Sequence, residues 1–489
     1  MNLHAHNQSL ALLTDLYQLT MSYGYWKAGM DNKEAVFHLF FRKRPFQGGF
    51  TITAGLEAVI DYLKKFRFDP NDLAYLATLN VADDEPLFEP AFFDYLANMK
   101  FTCSVDAVPE GNVVFPYEPL IRVQGPLIQC QLLESPLLNL VNFPTLIATK
   151  AARICIAADG DPVLEFGLRR AQGIDGSLTA SRAAYIGGCE GTSNVLAGKM
   201  FGIPVRGTHS HSWIMVFDDE KEAFQTYAEQ LPNNCIFLVD TYNTLEGVKK
   251  AIEVGLWLKK RGKKMLGIRL DSGDLAYLSI KSRDLLDEAG FNDAVIIASN
   301  ELDETIISEL KRQGAKIGVW GVGTSLVTAG NQPALDGVYK LSAIRNPGEP
   351  WKYKLKLSEQ MIKISNPGIL QIKRYTGSEG YITDAIYDTS LGIDNNGSII
   401  DPFDFTRQKA INKNWTSKDL LIPIFKDGKC VYDLPSLKEI RANTQKELDQ
   451  FHTGIKRFIN PHEYIVGMEK SLYDLKLKLI TNIRNLASQ

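Results

Sequence analysis

Between residues 162 and 321, short apolar runs alternate with segments of helical period, and this alternation constrains the fold more than any other feature of the chain. The runs at 162–166, 205–207, 235–239, 265–270, 294–298 and 316–321 read as strands. The segments at 176–186, 192–201, 219–230, 244–260, 275–289 and 301–313 read as helices. Parallel strands need a crossover between them, so strands alternating with helices indicate a parallel α/β arrangement. Six strands are clear, fewer than the eight of a regular β/α barrel. The strand candidates run into polar or glycine residues: Glu165-Phe166-Gly167, Asp240-Thr241, Asp271-Ser272-Gly273-Asp274, Ser299-Asn300-Glu301 and Gly321-Val322-Gly323. In a β/α barrel these junctions are carboxyl ends of strands, where active sites lie.

Outside this region the pattern differs. Residues 10–30 read as a helix with Thr14 as its cap and Asp15 in its first turn. A strand is expected over 35–42, followed by the basic loop Arg42-Lys43-Arg44, and a helix over 54–66. Short apolar runs at 101–108, 112–115 and 120–123 form a β-rich stretch, and 137–157 is long, apolar and helical in period. Beyond 335 come short strands such as 353–357, a β segment at 415–435, and amphipathic helices over 435–449 and 461–486. The expected organisation is a mixed α+β domain over 1–136, completed by part of 336–435. An α/β barrel carrying the active site follows over 137–335, then a β/helical extension over 336–489.

Composition narrows the function classes. With 54 basic and 57 acidic residues the net charge is −3, which argues against a general nucleic-acid or membrane-surface binder. No stretch approaches the ~18 uninterrupted apolar residues that span a bilayer. Residues 1–9 lack the basic segment and apolar core of a secretory signal, so a cytoplasmic location is expected. The six cysteines are scattered without a C-x-x-C pair, which points to buried free thiols rather than a disulfide framework or structural zinc.

The heptad Gly207-Thr208-His209-Ser210-His211-Ser212-Trp213 holds two of only seven histidines. On a strand, residues two apart share a face. Neutral imidazole is a nucleophile toward phosphoryl groups. By itself the heptad reads as structural histidine, and no third ligand stands at a usual spacing for a metal.

The segment Thr14-Asp15-Leu16-Tyr17-Gln18-Leu19-Thr20-Met21, the stretch 165–173, Gly207 to Ser212, and Asp271 to Asp274 keep an order and spacing that resemble the nicotinate phosphoribosyltransferase family. The likeness runs from about residue 10 to 330. It implies a type II phosphoribosyltransferase fold: an irregular α/β barrel with a mixed α+β N-terminal domain and a C-terminal extension, working as a homodimer with shared sites. It implies transfer of phosphoribose from phosphoribosyl pyrophosphate (PRPP) to nicotinate. The products are nicotinate mononucleotide and pyrophosphate, in NAD salvage. ATP hydrolysis is coupled to this through a phosphorylated histidine, with Mg2+ accompanying the polyphosphates.

The resemblance carries roles onto particular residues. The phosphorylated histidine falls on His211, and Asp240 matches the carboxylate that pairs with it. His209 receives no role. Phe166 matches an aromatic stacking one face of the pyridine ring, and Tyr17 a second, contributed by the other subunit. Arg169 matches a residue near the ring substituent and Arg269 one near PRPP, since a guanidinium suits carboxylate and phosphate. Ser193 stands where the related nicotinamide enzyme places an aspartate, and a hydroxyl can donate to a carboxylate. Gly321, Gly323 and Thr324 match a turn approaching the ribose 5-phosphate. Ser299 and Asn300 match a phosphate or ribose contact. Asp271 matches a holder of ribose hydroxyls or, through Mg2+ and water, of pyrophosphate. Arg42 belongs to a loop that closes over pyrophosphate. Each of these, taken singly, also fits a core aromatic, a surface ion pair or a tight turn. Rivals are a nicotinamide phosphoribosyltransferase, a quinolinate phosphoribosyltransferase whose extra basic residues are not found around 165–173, and a non-enzymatic scaffold on the same fold.

Overall fold

A computed structural model of the chain describes residues 9–394 and 397–487. The first eight residues, read above for a signal, lie outside the described residues. The chain divides into two compact units: residues 1–146 with 334–489, and residues 147–333. The segment set apart above as a C-terminal extension therefore shares a unit with the amino-terminal residues.

In the first unit the strand Glu34–Phe41 is buried almost throughout and lies between two antiparallel neighbours, Gly337–Arg345 and Ile121–Pro126. Its apolar, aromatic sequence suits a position covered on both faces, and the Phe37 ring stacks on Tyr339 at 4.8 Å. This seven-stranded sheet thus draws strands from both ends of the chain. A second sheet of six strands is built entirely from residues 370–469. The helix expected over 10–30 is shorter, Leu16–Lys27. Asp15 rather than Thr14 precedes it, its carboxylate occupied by the Ser135 hydroxyl at 2.5 Å. The helix expected over 461–486 begins only at Lys470, because Ile465–Glu469 is a strand beside Gly380–Asp388. Ile465 and Val466 favour the extended backbone. Gly467 lets the chain press against its neighbour, since a Cβ there would stand 2.7 Å from the Ile400 carbonyl oxygen.

Six parallel strands organise the second unit: β1 (Val163–Glu165), β2 (Gly191–Thr192), β3 (Ile236–Leu238), β4 (Gly267–Leu270), β5 (Val295–Asn300) and β6 (Val319–Val322). Their order is β2-β1-β6-β5-β4-β3, so the last strand pairs with the first and the sheet curls back on itself. The run expected as a strand at 205–207 forms only one bridge, Val205 to Thr192. Instead, the two-residue β2 supplies the sixth strand, too short to show an apolar run. Phe237, Ile268, Leu270, Ala298, Trp320 and Val322 are buried inside this unit. Among the described residues, the helix Glu134–Ala158 belongs to the one segment long and apolar enough to cross a bilayer, but 72% of its most apolar window is buried within protein, as in a core helix. Lys150 and Arg153 on it both pair with Glu304, at 2.5 and 2.8 Å. Each partner is almost fully buried, and breaking such a group leaves an unpaired charge in the interior.

Candidate active site

A cavity of about 500 Å³ opens at the carboxyl ends of five of the six strands, all but β3, and the second unit alone lines it. Phe166, Arg169, Ser193, His211, Arg269, Asp271, Ser299, Asn300, Gly321, Gly323 and Thr324 all contribute to its wall. Eleven residues singled out from sequence thus meet in one place. Arg170, Gly207, Thr208, His209, Ser210 and Glu301 line it as well, unassigned beforehand although all lie within three residues of an assigned one except Gly207, which lies four from His211. Tyr17 and Arg42 belong to the first unit. Tyr17 is half exposed on the helix Leu16–Lys27. Arg42 lines a larger cavity of about 880 Å³ within that unit. The smaller cavity is the better candidate, because there a histidine, carboxylates, guanidinium groups and an aromatic ring converge at strand ends.

The histidines differ from the strand reading. His209 lies in irregular chain and His211 opens the short helix His211–Met215, so the two do not share a strand face. Trp213 anchors that turn by donating its indole N–H to the Ala223 carbonyl at 3.1 Å. His209 is buried against Tyr227, with ring centroids 4.9 Å apart, and its Nε2 lies 3.4 Å from the Leu238 N–H, which donates to it. Burial pushes its imidazole down to about 4, so the ring is neutral at physiological pH. His209 thus packs against Tyr227 and also contributes to the cavity wall.

His211 faces the cavity. Its Nδ1 lies 3.0 Å from the Thr241 hydroxyl, and its Nε2 lies 3.6 Å from Asp271 Oδ2. The expected pairing with Asp240 is not formed: one Asp240 oxygen accepts from the Asp271 N–H at 2.8 Å and the Ser272 hydroxyl at 2.7 Å, and the other is buried with no hydrogen-bond partner among the described residues. The residue after it, Thr241, takes the ring nitrogen instead. Asp271 keeps one oxygen toward His211 while the other accepts from Ser299 at 2.6 Å. Arg269 is held by Thr208 and the His209 carbonyl at 2.8 and 2.9 Å. Burial lowers its affinity for the proton against the pull of Asp271 and Asp240.

At the other side of the cavity, Phe166 follows β1 and Ser193 follows β2. The Phe166 ring lies over Gly321, where a Cβ would stand 2.7 Å from two ring carbons. Gly323 and Thr324 begin the four-residue helix Thr324–Val327 directly after β6. No group of three His, Cys, Asp or Glu side chains able to hold a metal ion occurs among the described residues.

Comparison with known proteins agrees with this geometry along nearly the whole chain. The N-terminal domain model of nicotinate phosphoribosyltransferase matches residues 12–142, the family model matches 162–351, and the C-terminal domain model matches 371–476. The nicotinate phosphoribosyltransferase of Bacillus subtilis is 43% identical, over 98% of this chain and 97% of that protein. The Dictyostelium discoideum enzyme of the same name is 40% identical, over 95% of this chain and 87% of that protein. The crystal structure of human nicotinic acid phosphoribosyltransferase superposes with a TM-score of 0.82 at 32% identity, covering 95% of this chain and 99% of that one.

Proposed function

The chain belongs to the nicotinate phosphoribosyltransferase family, and from that membership we propose that it transfers phosphoribose from PRPP to nicotinate, coupled to ATP hydrolysis through His211. The observation that carries this reading is the convergence of His211, Asp271, Arg169, Arg269, Phe166 and Ser193 on one cavity. The ring nitrogen of nicotinate attacks the anomeric carbon as pyrophosphate leaves. An unprotonated pyridine nitrogen needs no general base, so the protein's work is positioning and charge stabilisation. Phe166 supplies a face for the ring, Ser193 a hydroxyl for its carboxylate, and Arg169 and Arg269 the cationic counterparts of carboxylate and phosphates. Gly321, Gly323, Thr324, Ser299 and Asn300 surround the 5-phosphate and ribose.

His211 Nε2 is the proposed nucleophile toward the terminal phosphorus of ATP. The Nε2–P bond forms, the bond from phosphorus to the bridging oxygen breaks, and ADP leaves. A proton held on Nδ1 and shared with Thr241 keeps the Nε2 lone pair free. Water later cleaves the phosphoryl group from His211 and returns the free imidazole. Mg2+ accompanies polyphosphates and neutralises their charge. The donor set here fits that use: Asp271 presents one carboxylate oxygen to the cavity, and Mg2+ commonly binds through one or two carboxylates plus phosphate and water. The protein acts as a homodimer in this reading, with Tyr17 of the partner subunit closing over the pyridine. Leu13, Leu16, Tyr17 and Met21 leave an apolar stripe exposed on the first unit, as such a role requires.

Product formation from PRPP with nicotinate or nicotinamide, each with and without Mg-ATP, tests the reading. Nicotinate turnover stimulated by ATP is expected. Preference for nicotinamide would favour the amide-using alternative. His211→Ala should abolish ATP stimulation while leaving slow transfer; full stimulation in that variant would refute the phosphohistidine.

A further inference from the structure

We propose that Glu165 is a positioning residue that sets selectivity for the acid over the amide, by holding Phe166 and Ser193 in one frame. The inference rests on the reading of the cavity given above. Glu165 ends β1, is 1% exposed, and does not line the cavity. Its side chain nevertheless ties together the two segments that do. One carboxylate oxygen accepts from the Gly167 N–H, immediately after Phe166. The other accepts from the Thr192 hydroxyl at 2.5 Å and the Ser181 hydroxyl at 2.8 Å. The Glu165 main-chain carbonyl accepts from the Ser193 N–H at 2.9 Å.

Ser193 is therefore bracketed. Thr192 before it is tied to the carboxylate, and Asn194 after it donates its N–H to the Thr192 hydroxyl at 2.9 Å and its amide to Ser181 at 3.3 Å. Phe166 is bracketed in the same way by Glu165 and Gly167. One buried carboxylate thus refers both the ring-stacking surface and the group facing the ring substituent to a single point. Nicotinate and nicotinamide share the ring and differ only at that substituent. Discrimination depends on how well Ser193 is registered against a stacked ring, and such sites tolerate only about half an ångström of error.

The chemistry of the carboxylate is specific. Three donors converge on two acceptor oxygens, and a carboxylate has no proton to set against them. Gln at this position keeps one acceptor oxygen for the Gly167 N–H and turns an NH2 group toward Thr192 and Ser181, whose hydroxyls must then reverse and accept, so the charge-assisted character of all three bonds is lost and the hydroxyls are reoriented. A freed Ser193 costs the acid more than the amide, because a charge-assisted hydrogen bond is stronger and more directional than a neutral one.

The test uses the full chain bearing Glu165→Gln, Thr192→Val or Thr192→Ser, with steady-state kinetics on nicotinate, nicotinamide and PRPP and a thermal unfolding curve for each. Glu165→Gln and Thr192→Val are expected to raise the KM for nicotinate about tenfold and to narrow the nicotinate-to-nicotinamide ratio of kcat/KM by a similar factor. The KM for PRPP should stay within about twofold, because the residues assigned to PRPP lie outside this network. Thr192→Ser keeps the donor and should behave as the unsubstituted protein. If Glu165→Gln fails to fold, Thr192→Val against Thr192→Ser decides the matter. Folded variants with an unchanged acid-to-amide ratio, or an equal rise in KM for PRPP, would overturn the inference alone. Absence of nicotinate turnover in the unsubstituted protein would overturn the reading of the cavity and this inference with it.

Discussion

Gly321→Ala isolates the steric contribution of one hydrogen atom to the pyridine site. Gly321 sits in β6, and a Cβ built on it lies 2.7 Å from Phe166 Cδ2 and Cε2 and 3.4 Å from Ser299 Cβ. Carbon atoms rest at about 3.5–4.0 Å, so the ring must retreat by about 1 Å. Gly321 is not among the residues with positive φ, so alanine introduces no backbone strain there. Phe166 is only half buried and opens on the cavity, so the ring can move, and it moves into the space proposed for substrate. The stability cost should therefore stay at the low end of overpacking, about 1 kcal/mol. The cost to binding is larger in kind. Loss of offset stacking is worth about 0.5–1.5 kcal/mol, or roughly threefold to tenfold in KM for nicotinate. Initial rates with varied nicotinate at saturating PRPP measure it, and the ATP hydrolysis proposed at His211 provides the control expected to stay constant. In a Phe166→Ala background the same substitution should add little, since no ring remains to displace. A folded Gly321→Ala variant with unchanged nicotinate KM, or a penalty that persists without the ring, would refute the reasoning.

Three further outcomes are expected. Ser193→Asp places a negative charge near the nicotinate carboxylate; at about 5 Å and an effective dielectric of about 20 the repulsion is about 3 kcal/mol. The nicotinate KM should rise roughly a hundredfold while nicotinamide suffers much less, and equal losses on both would count against Ser193 facing the substituent. His209 is held down to about 4 by burial, which the hydrogen bond to the Ser210 carbonyl opposes and to which the charges of Arg269 and His211 add. The unfolded chain takes up that proton first as pH falls, so this contribution is complete above about pH 6.5 and is lost toward pH 4, about 3 kcal/mol in all. Urea unfolding of His209→Gln should accordingly show a flatter fall in stability between pH 6.5 and 4.5, and an unchanged slope would exclude the assignment. Arg374 is fully buried between Asp384 at 2.6 Å and Glu447 at 3.3 Å. Arg374→Met leaves Asp384 buried without a cationic partner, while Glu447 keeps Lys418 at 2.7 Å, and should cost about 3–5 kcal/mol in unfolding free energy by urea, where a loss below about 1 kcal/mol would refute the burial of an unpaired Asp384.

The α/β alternation was legible because each strand of the second unit except β2 carries its own apolar run, and each long helix its own period. β2 was not legible: Gly191-Thr192 has no apolar residue, and its pairing is fixed by Glu165 from another part of the chain. The stretch 205–207 misled for the converse reason. Val205 finds one bridge, and Gly207 and Thr208 then carry the chain out of the ladder, so His211 begins a helix whose hold is the distant Ala223 carbonyl. The strand at Ile465–Glu469 was hidden because its partner Gly380–Asp388 lies some eighty residues earlier. The site residues were legible as a set, since strand-end position and resemblance select the same stretches of chain. Their mutual contacts were not, because a strand end shows which residues reach the cavity and not which way each side chain turns.

Asp240 illustrates the difference. Sequence puts it at a strand end beside a histidine, where a carboxylate commonly orients an imidazole. The fold gives it another task, because β3 and β4 are adjacent and parallel and the turn after β4 offers an N–H and a hydroxyl to its carboxylate. Glu165 does the same after β1. Both are buried, Glu165 accepting from the Gly167 N–H and the Thr192 and Ser181 hydroxyls, and Asp240 through one oxygen from the Asp271 N–H and the Ser272 hydroxyl. Asp271 stands in the turn that Asp240 holds and is itself partly exposed, so it keeps an oxygen for the cavity. Carboxylates that look alike in sequence thus divide by burial: the covered ones hold the loops in place, and the uncovered one keeps an oxygen toward His211. That division shows how a loop-built site gains rigidity, since the turns after β1 and β4 are each tied by a buried carboxylate that does not line the cavity.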